Sequence, residues 1–134
     1  MCRNITVSHN SIYNTPRAGL NISEGTWGGH IIEYNDIFNT VKETGDHGTI
    51  NSWGRDRFWH PNYNIMTQIT NEKPALILAD VVEPIIIRHN RLRCDRGWDI
   101  DLDDGSSNYQ IYNNLCLNGG IKLREGFYRT VENN

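Results

Sequence analysis

The chain lacks a helical hydrophobic period, a long apolar run and a basic run. No stretch approaches the roughly 20 apolar residues that a bilayer-crossing helix needs, so no such span is expected. Thirteen Lys and Arg stand against sixteen Asp and Glu, a formal net charge of −3. With no basic track to follow phosphates, nucleic acid is not an expected partner. Cysteine is scarce. Cys2, Cys94 and Cys116 make an odd three, with no C-x-x-C or other metal-ligand spacing. Each is expected to be a small buried hydrophobe or a free thiol rather than half of a disulfide. Hairpin dipeptides are few, which weighs against an antiparallel sandwich; Asn118–Gly119 alone does not make a meander. No signal peptide is visible.

What the chain has in plenty is asparagine, spaced as a repeat. An apolar-x-x-Asn-x-apolar phrase occurs as VSHNSI (Val7–Ile12), IEYNDI (Ile32–Ile37), IRHNRL (Ile87–Leu92) and IYNNLC (Ile111–Cys116), and VENN (Val131–Asn134) begins a fifth. The marker residues Asn10, Asn35, Asn90, Asn114 and Asn134 are 25, 55, 24 and 20 apart. A second phrase, ending in Gly, lies between successive markers: LNISEG (Leu20–Gly25), TINSWG (Thr49–Gly54), IDLDDG (Ile100–Gly105) and IKLREG (Ile121–Gly126).

A period of 20–25 residues made of short strands and tight turns predicts an all-β parallel solenoid of four to five coils, each with three strands. In the first coil the strands should lie near Ile5–His9, Ser11–Asn14 and Gly19–Ser23. Val7, Ile32, Ile87, Ile111 and Val131 should form one internal stack, and Ile12, Ile37, Leu92 and Cys116 another. The marker asparagines should ladder at a tight bend whose left-handed backbone Asn tolerates. Asn14, Asn39 and Asn118 suggest a partial ladder, with Cys94 at the matching place. The gap of 55 requires an insertion over about residues 54–83, whose apolar part, Pro74–Val82, should pack back on the coils. Both ends stop in mid-coil without an amphipathic cap, so the single domain of residues 1–134 is expected to belong to a longer protein or to stack end to end.

These features resemble the right-handed parallel β-helix of the pectin-lyase-like superfamily. The motifs GDHGTINSWGRDRFW and GWDIDLDDGSSNY look most like those of bacterial β-helix proteins of polysaccharide breakdown, such as the family-141 glycoside hydrolases. The resemblance implies an exported bacterial protein, secreted, periplasmic or on the cell surface, acting on a complex glycan. It carries over no catalytic residue, so the site must come from the residues themselves.

Aligning the Gly-ended phrases puts Asn21, Asp101 and Lys122 in one outward row and Ser23, Ser52, Asp103 and Arg124 in the next, with Glu24, Trp53, Asp104 and Glu125 in the turn. That alignment turns Ile50 outward and Asn51 inward, and a register shift before the insertion would repair it. Asp99, Asp101 and Asp103 alternate with Trp98, Ile100 and Leu102, and crowding like charges calls for a cation, a substrate or basic neighbours. Two carboxylates two residues apart on one strand face have Cα atoms about 6.6–6.8 Å apart, which suits the acid and base of an inverting glycosidase or, if the side chains converge, a retaining one. Asp101, Asp103, Asp46 and His47 are the candidate acid–base residues, with Asp56 in reserve. Lys122 and Arg124 could anchor uronate carboxylates. Arg55, Asp56, Trp53, Trp59 and Asp99 could line a glycan. The bland alternatives are cross-strand ion pairs for Asp101–Lys122 and Asp103–Arg124, a turn histidine for His47, and a loop mini-core for the tryptophans. His9 and His89 are expected in turns. No cofactor is required, although the aspartates offer oxygens of the kind Ca²⁺ prefers. A glycoside hydrolase leads, with a polysaccharide lyase and a non-catalytic glycan-binding module as alternatives.

Overall fold

In the computed structural model, which describes residues 2–23 and 27–134, the chain winds as a parallel β-helix. Glu24, assigned above to the outward turn, and Gly25, which ends the first Gly-ended phrase, lie outside the described residues. Coil one contains β1 (Thr6–Ser8), β2 (Ser11–Tyr13) and β3 (Leu20–Ile22). Coil two contains β4 (Ile31–Glu33), β5 (Asp36–Phe38) and β6 (Gly48–Trp53). Coil three contains β7 (Ile85–Arg88), β8 (Arg91–Arg93) and β9 (Trp98–Asp103). Coil four contains β10 (Tyr109–Tyr112), β11 (Leu115–Cys116) and β12 (Ile121–Leu123), and β13 (Arg129–Glu132) starts a fifth. Three parallel sheets result, ordered β1-β4-β7-β10-β13, β2-β5-β8-β11 and β3-β6-β9-β12.

The strands are too short to hold themselves, so the stacks hold them. Val7, Ile32, Ile87, Ile111 and Val131 are in register through the first sheet. Ile12, Ile37, Leu92 and Cys116 are in register through the second. Most of these join one core with Ile50, Ile85, Ile100 and Leu102. The three cysteines are free thiols; Cys94 is fully buried and Cys116 half-buried, as small hydrophobes are.

The asparagine ladder is continuous. The backbone N–H and Nδ2 of Asn10 both donate to Asn35 Oδ1, at 3.0 and 3.1 Å, and the pattern repeats from Asn35 to Asn90, Asn90 to Asn114 and Asn114 to Asn134. Each Nδ2 also reaches back one coil, from Asn35 to Val7 O, Asn90 to Ile32 O, Asn114 to Ile87 O and Asn134 to Ile111 O. The left-handed backbone, however, falls one residue earlier, on His9, Tyr34, His89, Asn113 and Asn133, with φ of 53–56°. The marker side chain faces inward to bond its neighbours, and the preceding residue makes the bend. Its side chain faces out, where His9, Tyr34 and His89 stack with ring centroids 5.1 and 4.9 Å apart. In the partial ladder Asn39 Nδ2 bonds Asn14 Oδ1, while Asn118 Nδ2 uses the Cys94 carbonyl at 3.0 Å.

The insertion is not a bare loop. It holds α1 (Tyr63–Glu72), capped by Asn62 through its bond from the Asn64 N–H, then a 3-10 turn over Pro74–Leu78. Phe58, Met66 and Ile77 form a second small core, Phe127 meets Phe58 edge-on, and Val81 enters the coil core. Arg57 grips Asp80 through Nε at 2.9 Å and Nη2 at 2.5 Å, closing the base of the insertion. The helix turns on three apolar residues, Ile65, Met66 and Ile69, of which only Met66 is buried.

Candidate functional site

The outward face of the third sheet gathers most of the candidate residues. Its register differs from the phrase alignment by one residue in coil two. Ile50 lies opposite Ile100, Asn51 opposite Asp101, Ser52 opposite Leu102 and Trp53 opposite Asp103. Burial of Ile50 in the core drives this shift, since outward exposure of Ile would leave the coil without its stack there. Ser52 therefore faces inward, bonded to Tyr109 Oη at 2.7 Å, and Trp53 takes its place beside Asp103.

Lys122 is the centre of the cluster. It pairs in register with Asp101 on the neighbouring strand. Its Nζ lies 3.2 Å from Asp101, 3.3 Å from Asp46 and 3.6 Å from Asp103, and 4.0 Å from the centre of the Trp98 ring. One oxygen from each of the three carboxylates lies within 4.8 Å of the others. The crowding seen in the sequence is thus relieved by a protein cation. Burial works against the Lys122 charge, but Asp101, Asp46 and Asp103 outweigh it and raise its pKa.

Asp101 is outward-facing yet fully covered. Gly48 helps bring this about, because a Cβ there would stand 2.8 Å from both the Cβ and the backbone N of Asp101. Burial lifts the Asp101 pKa to about 6 from 3.8; Lys122 opposes the shift, and the charges of Asp103 and Asp46 add to it. Asp103 keeps 15% of its side chain exposed and pairs with Arg124 Nη1 at 3.0 Å. Arg124 also meets Asp104 at 3.2 Å and Glu125 at 3.4 Å. Asp104 in turn holds Arg55 through Nε at 2.7 Å and Nη2 at 2.6 Å.

Aromatic rings flank these charges. The Arg55 guanidinium lies over Trp53 at 5.9 Å and over Trp59 at 5.3 Å, and Arg17 lies over Trp53 at 5.3 Å. The Trp59 indole N–H donates to Glu125 at 3.0 Å, tying the insertion to coil four. Gly105, at φ +82°, makes room for Trp59, whose Cδ1 would stand 2.6 Å from an added Cβ.

Three candidates have other places. Asp99 is fully buried and accepts four backbone N–H bonds, from Cys94 at 2.7 Å, Asn118 at 3.2 Å, and Gly119 and Gly120 at 2.9 Å each. It pins two turns together and is out of reach of a ligand. Asp56 is 4% exposed at the root of the insertion, where its carbonyl accepts from Trp59 N–H. His47 is not oriented by Asp46, which turns to Lys122; Arg17 Nε donates to His47 Nε2 at 3.0 Å and Nδ1 lies 3.1 Å from Thr44 Oγ1. Arg17 and Trp98 join the site although the sequence did not single them out as members. Trp98 looked like an inward residue because strict alternation was extended to the start of β9. The alternation holds only from Ile100 to Asp103, and Asp99 belongs to the turn contacts.

The three carboxylates have the donor chemistry for a hard cation, but the Lys122 ammonium occupies the point where they converge. No protein-family model, no curated protein and no solved structure matches this chain.

Proposed function

We propose that this face binds and hydrolyses a neutral glycan, with Asp101 and Asp103 as the reacting carboxyls. One observation carries the reading: a covered carboxyl with its pKa raised to about 6 stands beside a second, partly exposed carboxyl held by two cations. Unequal environments of this kind separate an acid from its partner. One oxygen of Asp101 lies within 4.8 Å of one of Asp103, and such convergence is what the retaining geometry, about 5–5.5 Å between carboxyls, requires. Asp103 would attack the anomeric carbon as the glycosidic bond breaks, and Asp101 would protonate the leaving oxygen. Water would then release the sugar from Asp103, returning its proton to Asp101. Lys122 covers Asp101, so the ammonium must swing toward the exposed Asp46, which it already touches at 3.3 Å.

The charge balance favours a neutral substrate over a uronate. The cations Lys122, Arg124 and Arg55 are all engaged by carboxylates of the face. The lyase alternative needs a proton-accepting amine or a free cation, and the raised pKa of Lys122 opposes the first. The resemblance to polysaccharide-degrading β-helix proteins supports the hydrolase reading, and an exported location is part of the same proposal. The test is turnover by the full chain on neutral glucans, galactans, mannans and xylans, with the product anomer read by NMR. Asp103→Asn and Asp101→Asn should each lower the rate by about 10²–10⁴-fold. Unchanged turnover in both variants, or products carrying a new double bond, would overturn the proposal.

A further inference from the structure

A pocket of about 140 Å³ lies between the insertion and coil four, lined by His60, Pro61, Tyr63, Met66, Arg124 and Glu125. It shares Arg124 with the carboxylate cluster, since this side chain both lines the pocket and bonds Asp103 at 3.0 Å. A closed cavity of about 150 Å³ holds benzene, and a sugar ring with its hydroxyls is larger, so this half-open pocket takes at most one ring, with part of that ring left in solvent. Its wall is mixed. Tyr63, 69% exposed, and Met66 supply apolar lining, while Glu125 and Arg124 supply acceptors and donors. Asn62 N–H donates to His60 Nδ1 at 2.9 Å, so that nitrogen is an acceptor and Nε2 carries the ring hydrogen.

We infer that the pocket is a subsite for a single neutral sugar ring of the glycan whose adjoining bond reaches Asp103; this rests on the glycan reading above. Neutrality follows from the charges. Arg124 is surrounded by Asp103, Asp104 and Glu125 at 3.0–3.4 Å, so its charge is matched and it acts as a hydrogen-bond donor. Its Nη2 takes part in none of those contacts and is the donor left for a ring hydroxyl. The Glu125 carboxylate favours hydroxyl donors and repels a uronate carboxylate. The pocket is also held in place, because Trp59 bonds Glu125 at 3.0 Å and Phe58 meets Phe127 edge-on at 5.6 Å. The insertion therefore sets how the ring next to the reacting bond is chosen.

The probes are methyl glycosides of glucose, galactose, mannose and xylose, with galacturonic acid as the charged control, titrated into the full chain at millimolar concentrations. The indole N–H signal of Trp59 reports on its acceptor Glu125, and the ring signals of Tyr63 report on the mouth. At least one neutral glycoside should shift both in a saturable way, and galacturonic acid should bind more weakly. Tyr63→Ala, at an exposed position that leaves the fold intact, should weaken binding about three- to tenfold, and Met66→Phe should block it. Asp103→Asn should retain it, which separates the pocket from hydrolysis: lost turnover with retained binding leaves the pocket standing. The inference is overturned if no glycoside shifts these signals, if Tyr63→Ala binds as the parent does, or if galacturonic acid binds best.

Discussion

At the residue scale, two aspartates of one short strand have opposite duties. Asp99 is held by four backbone N–H groups of two turns, and Asp101 by a single lysine. Replacing Asp99 by Asn puts a donor among donors and removes charge-assisted bonds, so Asp99→Asn should cost roughly 2–4 kcal/mol, against under about 1 kcal/mol for Asp103→Asn. Urea midpoints of the two variants test the contrast. Asp101 makes a pH prediction. Its folded pKa, about 6, lies above the ordinary 3.8, so between these values the folded chain holds the proton more tightly than the unfolded chain. The associated stability is fully present below about pH 4 and lost as the pH rises through about 6. Asp101→Asn has no such proton to lose, and its thermal midpoint should gain on the parent from about pH 4 to 7. A flat difference would mean that the carboxyl is not shifted. The sequence made the acidic row and its lysine–arginine neighbours legible, because both follow from repeat register. It did not separate Asp99 from Asp101, since one lies on turn amides and the other on a sheet, and alternation treats them alike.

At the element scale, the marker asparagines and their stacking were legible because a one-letter repeat at constant phase has few other physical causes, but the left-handed bend, expected on the marker, falls one residue earlier. Asn90 lies in its middle, 2% exposed, and its Oδ1 accepts both donors of Asn35. Asn90→Ala should strand these groups and destabilise the fold by roughly 2–4 kcal/mol, whereas Asn134→Ala, at an exposed position, should cost under about 1 kcal/mol. Denaturant titration of both gives the comparison; equal costs would mean that the ladder does not hold the coils. The helix of the insertion was missed. Its signals were present in Asn62 as cap, in Ile65, Met66 and Ile69 on one side, and in Pro74 just beyond the end. They were weak because its sequence is rich in β-branched and polar residues and only one side chain is buried, so periodicity had little to register. The one-residue shift in β6 was detectable as a fault, since Ile50 pointed the wrong way, and core burial supplies its cause.

For the whole molecule, stability should follow the order of coils. Strands pair with those of the adjoining coils, so interior coils lose two sheet interfaces on opening and outer coils lose one. Hydrogen exchange of this chain should be slowest at the amides of Ile87, Leu92 and Ile100 and faster at β1 and β13. Uniform exchange would point to all-or-none opening instead.

The insertion leaves and rejoins the winding at the corner between β6 and β7, while the marker ladder runs at a different corner, so Asn35 still meets Asn90 as if the 55 residues of sequence separation were a single turn. Length at that corner is therefore mechanically uncoupled from the pitch of the winding. A segment of another length could be grafted beyond Trp59 as long as the Arg55–Asp104 and Trp59–Glu125 bonds are kept, so the insertion can vary ring choice during evolution or engineering while those two ties hold the carboxylate face in place.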